Sequence, residues 1–87
     1  MYNAKLSKTV YKFIQHQTPK FRIIVFDALE KIAQDPFHNY LDIKKLKNME
    51  HHYRLRLGKY RILFEIFKSD SLVYFYAADS RGDIYKG

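Results

Sequence analysis

The sequence predicts an α+β fold: an N-terminal strand, a two-helix hairpin, then an antiparallel meander of three strands, with both helices packed on one face of a small sheet. Two observations carry that prediction. Apolar residues recur at helical spacing through Val10, Phe13 and Ile14 and again through Phe21 to Ile32, whereas from Tyr53 onward they alternate as in strands. Turn signals at Asp35-Pro36, Gly58-Lys59 and Ser69-Asp70 separate the runs.

In order, Tyr2 to Leu6 alternate and predict a short strand, after which Ser7 suits the N-cap of a helix over roughly 8–17. Val10, Phe13, Ile14 and Gln17 mark its buried side. Thr18-Pro19 is a second start signal, because proline at the first helical position gives up an N–H that has no helical partner. Phe21, Ile24, Val25, Ala28, Leu29 and Ile32 then describe an amphipathic helix that Asp35-Pro36 ends. Residues 36–52 have no sustained period and read as a loop, with at most a helical turn around Leu41 to Leu46. Lys44, Lys45 and Lys47 make it basic, suited either to solvent or to phosphate contact.

Tyr53 to Phe67, YRLRLGKYRILFEIF, is the organising stretch: two alternating runs about Gly58-Lys59 predict a hairpin. A two-residue turn sets Leu57 opposite Tyr60, Arg56 opposite Arg61, Leu55 opposite Ile62 and Tyr53 opposite Phe64. One face then carries Leu55, Leu57, Tyr60, Ile62 and Phe64 for a core. The other gathers Arg54, Arg56 and Arg61. Like charges facing each other across strands destabilise a sheet, so the arrangement points to a polyanion, a phosphate chain above all, that completes the site. Leu72 to Ala78 is a third strand. Pairing Phe67 with Leu72 sets Val73, Phe75 and Ala77 beside the core and Leu72, Tyr74 and Tyr76 on the arginine face. Simple alternation sends Arg81 to the helix side, so a bend or bulge near Asp79 to Gly82 is expected to bring it round.

Composition bounds the function. The 87 residues suit a single domain, 1–87, and 16 Lys and Arg against 9 Asp and Glu leave a formal charge of +7, as expected for a protein that meets nucleic acid or an acidic partner. The absence of cysteine excludes disulfides and thiolate metal sites. No apolar run suffices for a membrane span, and the N-terminus lacks a signal-peptide core, so no membrane partner and a cytoplasmic location are expected.

The helical hairpin ending at Asp35-Pro36, DIKKLK (Asp42 to Lys47), YRLRLGKYRILFEI (Tyr53 to Ile66) and RGDIY (Arg81 to Tyr85) together resemble the RelE/ParE superfamily of bacterial type II toxin–antitoxin toxins. The resemblance runs along the whole chain, and its RelE-like branch implies a small ribosome-dependent endoribonuclease that cuts messenger RNA in the A site and inhibits translation. It implies a cognate antitoxin, the ribosome and mRNA as partners, and no cofactor or metal. By position, Arg54 and Arg56 match a basic pair that holds the RNA backbone and Arg61 the cation that stabilises the transition state. Arg81 matches an arginine proposed to act on the leaving group, and Tyr85 a tyrosine proposed as base for the ribose 2′-hydroxyl. Many relatives carry His-Arg-basic before that tyrosine. This chain has Ser80-Arg81-Gly82, which leaves fewer groups for proton transfer.

The chemistry stands apart from the family. Cleavage by the 2′-hydroxyl needs a proton acceptor, a cation for the phosphorane and a proton for the leaving 5′-oxygen. Tyrosine titrates near pH 10 when unperturbed, so Tyr85 as base requires neighbouring guanidinium groups. His51-His52 lacks metal-ligand spacing, and adjacent strand residues point to opposite faces, so a solvated pair is expected, still placed to donate protons near RNA. His16 and His38 read as surface residues. Asp79 and Asp83 suit turn caps or a salt bridge with Arg81, and Arg81-Gly82-Asp83 carries no weight as an adhesion motif. Tyr74 and Tyr76 suit either base stacking or an antitoxin helix. Two other functions compete: a ParE-type, non-enzymatic inhibitor of DNA gyrase, and an inactive homologue that only binds its antitoxin. Arg81 together with Tyr85 favours the ribonuclease.

Overall fold

The computed structural model describes residues 1–80. The chain runs β1 (Asn3–Leu6), α1 (Lys8–Gln15), α2 (Pro19–Gln34), β2 (Asp42–Lys45), β3 (His52–Leu57), β4 (Tyr60–Phe67), a 3-10 turn (Lys68–Asp70) and β5 (Leu72–Asp79). The strands form one sheet in the order β1-β5-β4-β3-β2, with β1 parallel to β5 and every other pair antiparallel. The expected α+β architecture holds.

Both helix starts follow the cap signals. The Ser7 hydroxyl accepts the Val10 N–H at 3.1 Å and donates to the Tyr76 carbonyl at 3.1 Å, so one side chain caps α1 and ties it to β5. Thr18 accepts the Phe21 N–H at 3.2 Å, with Pro19 at the first helical position. The core lies between the helices and one sheet face. Val10 and Ile14 of α1 and Val25, Ala28, Leu29 and Ile32 of α2 cluster with Leu55, Ile62, Phe64, Ile66, Val73 and Phe75.

Three expectations are corrected. Ile24 is 48% exposed and lies outward with Ile23 and Phe26. At about 100° per residue it stands a quarter turn from Val25, outside the stripe centred on Val25, Leu29 and Ile32. Secondly, the presumed loop 36–52 contains β2, an edge strand pairing Asp42 with Arg56 and Lys44 with Arg54. It is too short to show a period, with only Ile43 packed against the core, and its existence comes from the open edge of β3. The meander therefore has four antiparallel strands. Thirdly, a bulge interrupts the β4–β5 register between Leu63 and Phe64: Phe64 pairs with Phe75, but Leu63 pairs with Ala77 and Ile62 with Ala78. Tyr76 is the extra residue, so Ala78 takes the core-side position expected of Ala77. The phase changes upstream of the stretch where a bend was expected, and Asp79 ends β5 directly opposite Arg61.

The hairpin register is the predicted one, Leu57 with Tyr60, Arg56 with Arg61, Leu55 with Ile62 and Tyr53 with Phe64. Gly58 supplies the left-handed residue of the turn at φ +59°. No helix of the described residues is long and apolar enough to cross a membrane.

Candidate functional site

The sheet face away from the helices carries the candidate residues. Alternation along β3 brings His52, Arg54 and Arg56 to this face, and along β4 Arg61, Leu63 and Glu65. Neighbouring strands add Asp42 and Lys44 on one side and Tyr74, Tyr76 and Asp79 on the other.

The three arginines differ in setting. Arg54 is the only buried charged residue among those described, 6% exposed, and its Nη2 donates to Asp42 Oδ1 at 3.0 Å. Its Nε is buried without a hydrogen-bond partner among the described residues. Arg56 is exposed, with Nε 3.9 Å from Asp42 Oδ2, and Arg61 is half-buried opposite it. One carboxylate thus lies against two guanidinium groups, and Asp79 faces the third across β4–β5. The opposed Arg56–Arg61 pair is therefore partly compensated from within the fold, through an aspartate on a strand that the sequence concealed. Lys44 shares the arginine face, Lys45 alternates away from it, and Lys47 follows in the turn; all three are exposed.

Arg81 and Tyr85, the residues expected to act on the leaving group and the 2′-hydroxyl, lie outside the described residues, as do Gly82 and Asp83. Asp79, read as a cap or an ion-pair partner, accepts the Ser80 N–H at 2.6 Å.

A second cluster on this face was not legible in the sequence. His52, expected to be solvated, places Nδ1 2.8 Å from the Tyr76 hydroxyl and Nε2 3.5 Å from Glu65 Oε1. Its side chain is 21% exposed and that of Glu65 28%. Burial raises the Tyr76 hydroxyl above the usual phenol range, and the Glu65 charge adds to the shift. The signal available was register: His52 is the cross-strand partner of Glu65, and the bulge brings Tyr76 against both. His51, by contrast, sits in the preceding turn at φ +67° with an exposed side chain 4.0 Å from Glu50. Among the described residues no group of three or more His, Asp or Glu is placed to hold a metal ion.

The fold is RelE-like, two helices on a mixed five-stranded sheet. It is 26% identical, over 86 residues that cover 98% of this chain and 96% of the relative, to a protein bearing the name toxin RelE1 from Methanocaldococcus jannaschii. The structure superposes on the RelE–RelB complex of Pyrococcus horikoshii with a TM-score of 0.81 at 24% identity, covering 93% of this chain and 96% of that one. A RelB–RelE antitoxin–toxin complex from Methanococcus jannaschii matches at TM-score 0.74 and 29% identity, covering 93% and 94%. No family model matches the chain.

Proposed function

We propose that this chain is the toxin of a type II toxin–antitoxin module and acts as a metal-independent, ribosome-dependent endoribonuclease on mRNA in the A site, held in check by a cognate antitoxin. One observation above all supports the reading: Arg54, Arg56 and Arg61 meet on the sheet face turned away from both described helices, with Arg56 exposed and Arg61 half-buried. An RNA phosphate is the group whose charge and geometry suit exposed guanidinium side chains. The structures of RelE relatives bound to RelB support the antitoxin as partner.

Within this reading Arg56 and Lys44 take the RNA backbone at the surface, with Lys45 and Lys47 contributing to the field at the sheet edge. Arg54, anchored by Asp42, supports the RNA backbone through its positive charge beneath Arg56. Arg61 lies against the scissile phosphate, where charge grows as the phosphorane forms. Arg81 stabilises the leaving 5′-oxygen and Tyr85 takes the 2′-hydroxyl proton.

Growth arrest on induction tests these roles. Arg61→Ala and Arg81→Ala should each abolish arrest while the purified variants keep the wild-type circular dichroism spectrum and still bind antitoxin. Folded variants that remain fully toxic would remove the arginine site from the account.

A further inference from the structure

An arginine can stabilise an oxyanion but does not surrender its proton near neutral pH. The ribonuclease reading thus leaves the leaving 5′-oxygen without a proton donor. The open face contains a group able to supply one. His52 lies between Glu65, 3.5 Å from Nε2, and the Tyr76 hydroxyl, 2.8 Å from Nδ1. Resting on the ribonuclease reading, we propose that Tyr76 is the general acid of the cleavage, recharged by the His52 side chain that Glu65 holds in place.

The geometry gives each group a distinct task. The carboxylate 3.5 Å from Nε2 orients the ring, which sets Nδ1 2.8 Å from the phenolic oxygen. Edge-on contact between the His52 and Tyr76 rings, centroids 5.5 Å apart, keeps them in register. Burial holds the Tyr76 proton on the phenol until a stronger base, the departing alkoxide, develops beside it. Position agrees as well. His52 is two residues from Arg54 along the same face, about 7 Å at strand rise, and the Leu63 position that the Tyr76 bulge opposes is two residues from Arg61 on β4. The charged and titratable groups facing the cluster are Glu65 on β4, Tyr74 beside Tyr76 on β5, Lys5 paired with Tyr74 from β1, and Arg54 on its own strand.

The step balances. The base removes the 2′-hydroxyl proton, the 2′-oxygen bonds to phosphorus, and the P–O5′ bond breaks with its electron pair going to O5′. That oxygen takes the Tyr76 phenolic proton, Tyr76 takes the Nδ1 proton of His52, and solvent reprotonates the imidazole. The products are a 2′,3′-cyclic phosphate and a 5′-hydroxyl end. Tyr76 is the catalytic residue here, His52 recharges it, and Glu65 is a positioning residue.

The experiment is single-turnover cleavage of ribosome-bound mRNA with either an ordinary linkage or a 5′-bridging sulfur at the A-site codon, since a thiolate leaves without needing a proton. Tyr76→Phe and His52→Gln should each slow the ordinary linkage by about 100-fold or more. Both variants should cut the sulfur linkage at close to the wild-type rate. Arg61→Ala should stay slow on both. Wild-type rates on the ordinary linkage in either variant, or slow variants that sulfur does not rescue, overturn the assignment while leaving the ribonuclease reading intact. A wild-type protein that cuts neither substrate overturns both. His52→Gln retains an amide donor toward Tyr76 and serves if Tyr76→Phe fails to fold.

Discussion

Asp42 shows how much a single side chain can reorganise the reading of a site. From sequence it belongs to a featureless basic stretch, whereas in the structure its two oxygens lie 3.0 Å from Arg54 and 3.9 Å from Arg56. These contacts differ in worth because Arg54 is buried and Arg56 is not. Removing the partner of a buried charge leaves that charge uncompensated, while an exposed ion pair contributes little. Asp42→Asn should therefore lower stability by about 1–3 kcal/mol in urea unfolding, against less than about 1 kcal/mol for Arg56→Ala. Equal effects would show that the buried pair does not anchor the site. Three of the proposed nucleic-acid residues, Arg54, Arg56 and Arg61, were legible as a group because strand alternation fixes their face. Their unequal burial was not, since alternation fixes which face a side chain takes and not how deeply it lies there.

Among the elements, the β3–β4 hairpin was fully legible. Its alternation extends over both arms and Gly58 at φ +59° meets the turn's demand for a left-handed residue. A Cβ placed at Gly58 meets nothing within 4 Å, so the penalty for substitution is conformational alone. Gly58→Ala should destabilise by about 1–2 kcal/mol and Gly58→Asn by less, as asparagine tolerates that conformation better. Thermal unfolding checks the order, and a costlier asparagine would point to a different turn. The bulge at Tyr76 was not legible, for the sequence LVYFYAA alternates well enough to continue without interruption. Only the pairing partner reveals the extra residue, and with it the His52–Tyr76 contact. Ile24 misled for a simpler reason: in a run as apolar as Ile23 to Phe26, hydrophobicity alone does not locate the edge of the buried stripe.

At the scale of the whole molecule, a charge of +7 on 87 residues and an arginine-bearing sheet face turned away from both described helices belong together. Phosphate contacts release condensed counterions, so binding to mRNA-programmed ribosomes should weaken steeply with salt, and Arg56→Ala should reduce the log–log slope by about 0.7. An unchanged slope would take Arg56 off the RNA. The α+β class was legible because helical and strand periods segregate cleanly along the chain, and the RelE-like fold through the resemblance carried by Tyr53 to Ile66. The distribution of carboxylates over the basic face was not, because Asp42, Glu65 and Asp79 reach it from three different strands. The central claim is that this face cuts translated messages, and the most direct measurement is to induce the gene and map transcript 5′ ends. The account predicts breaks phased to codons, within translated regions and dependent on ribosomes. Intact messages accompanied by DNA damage, or by no growth arrest, would contradict it.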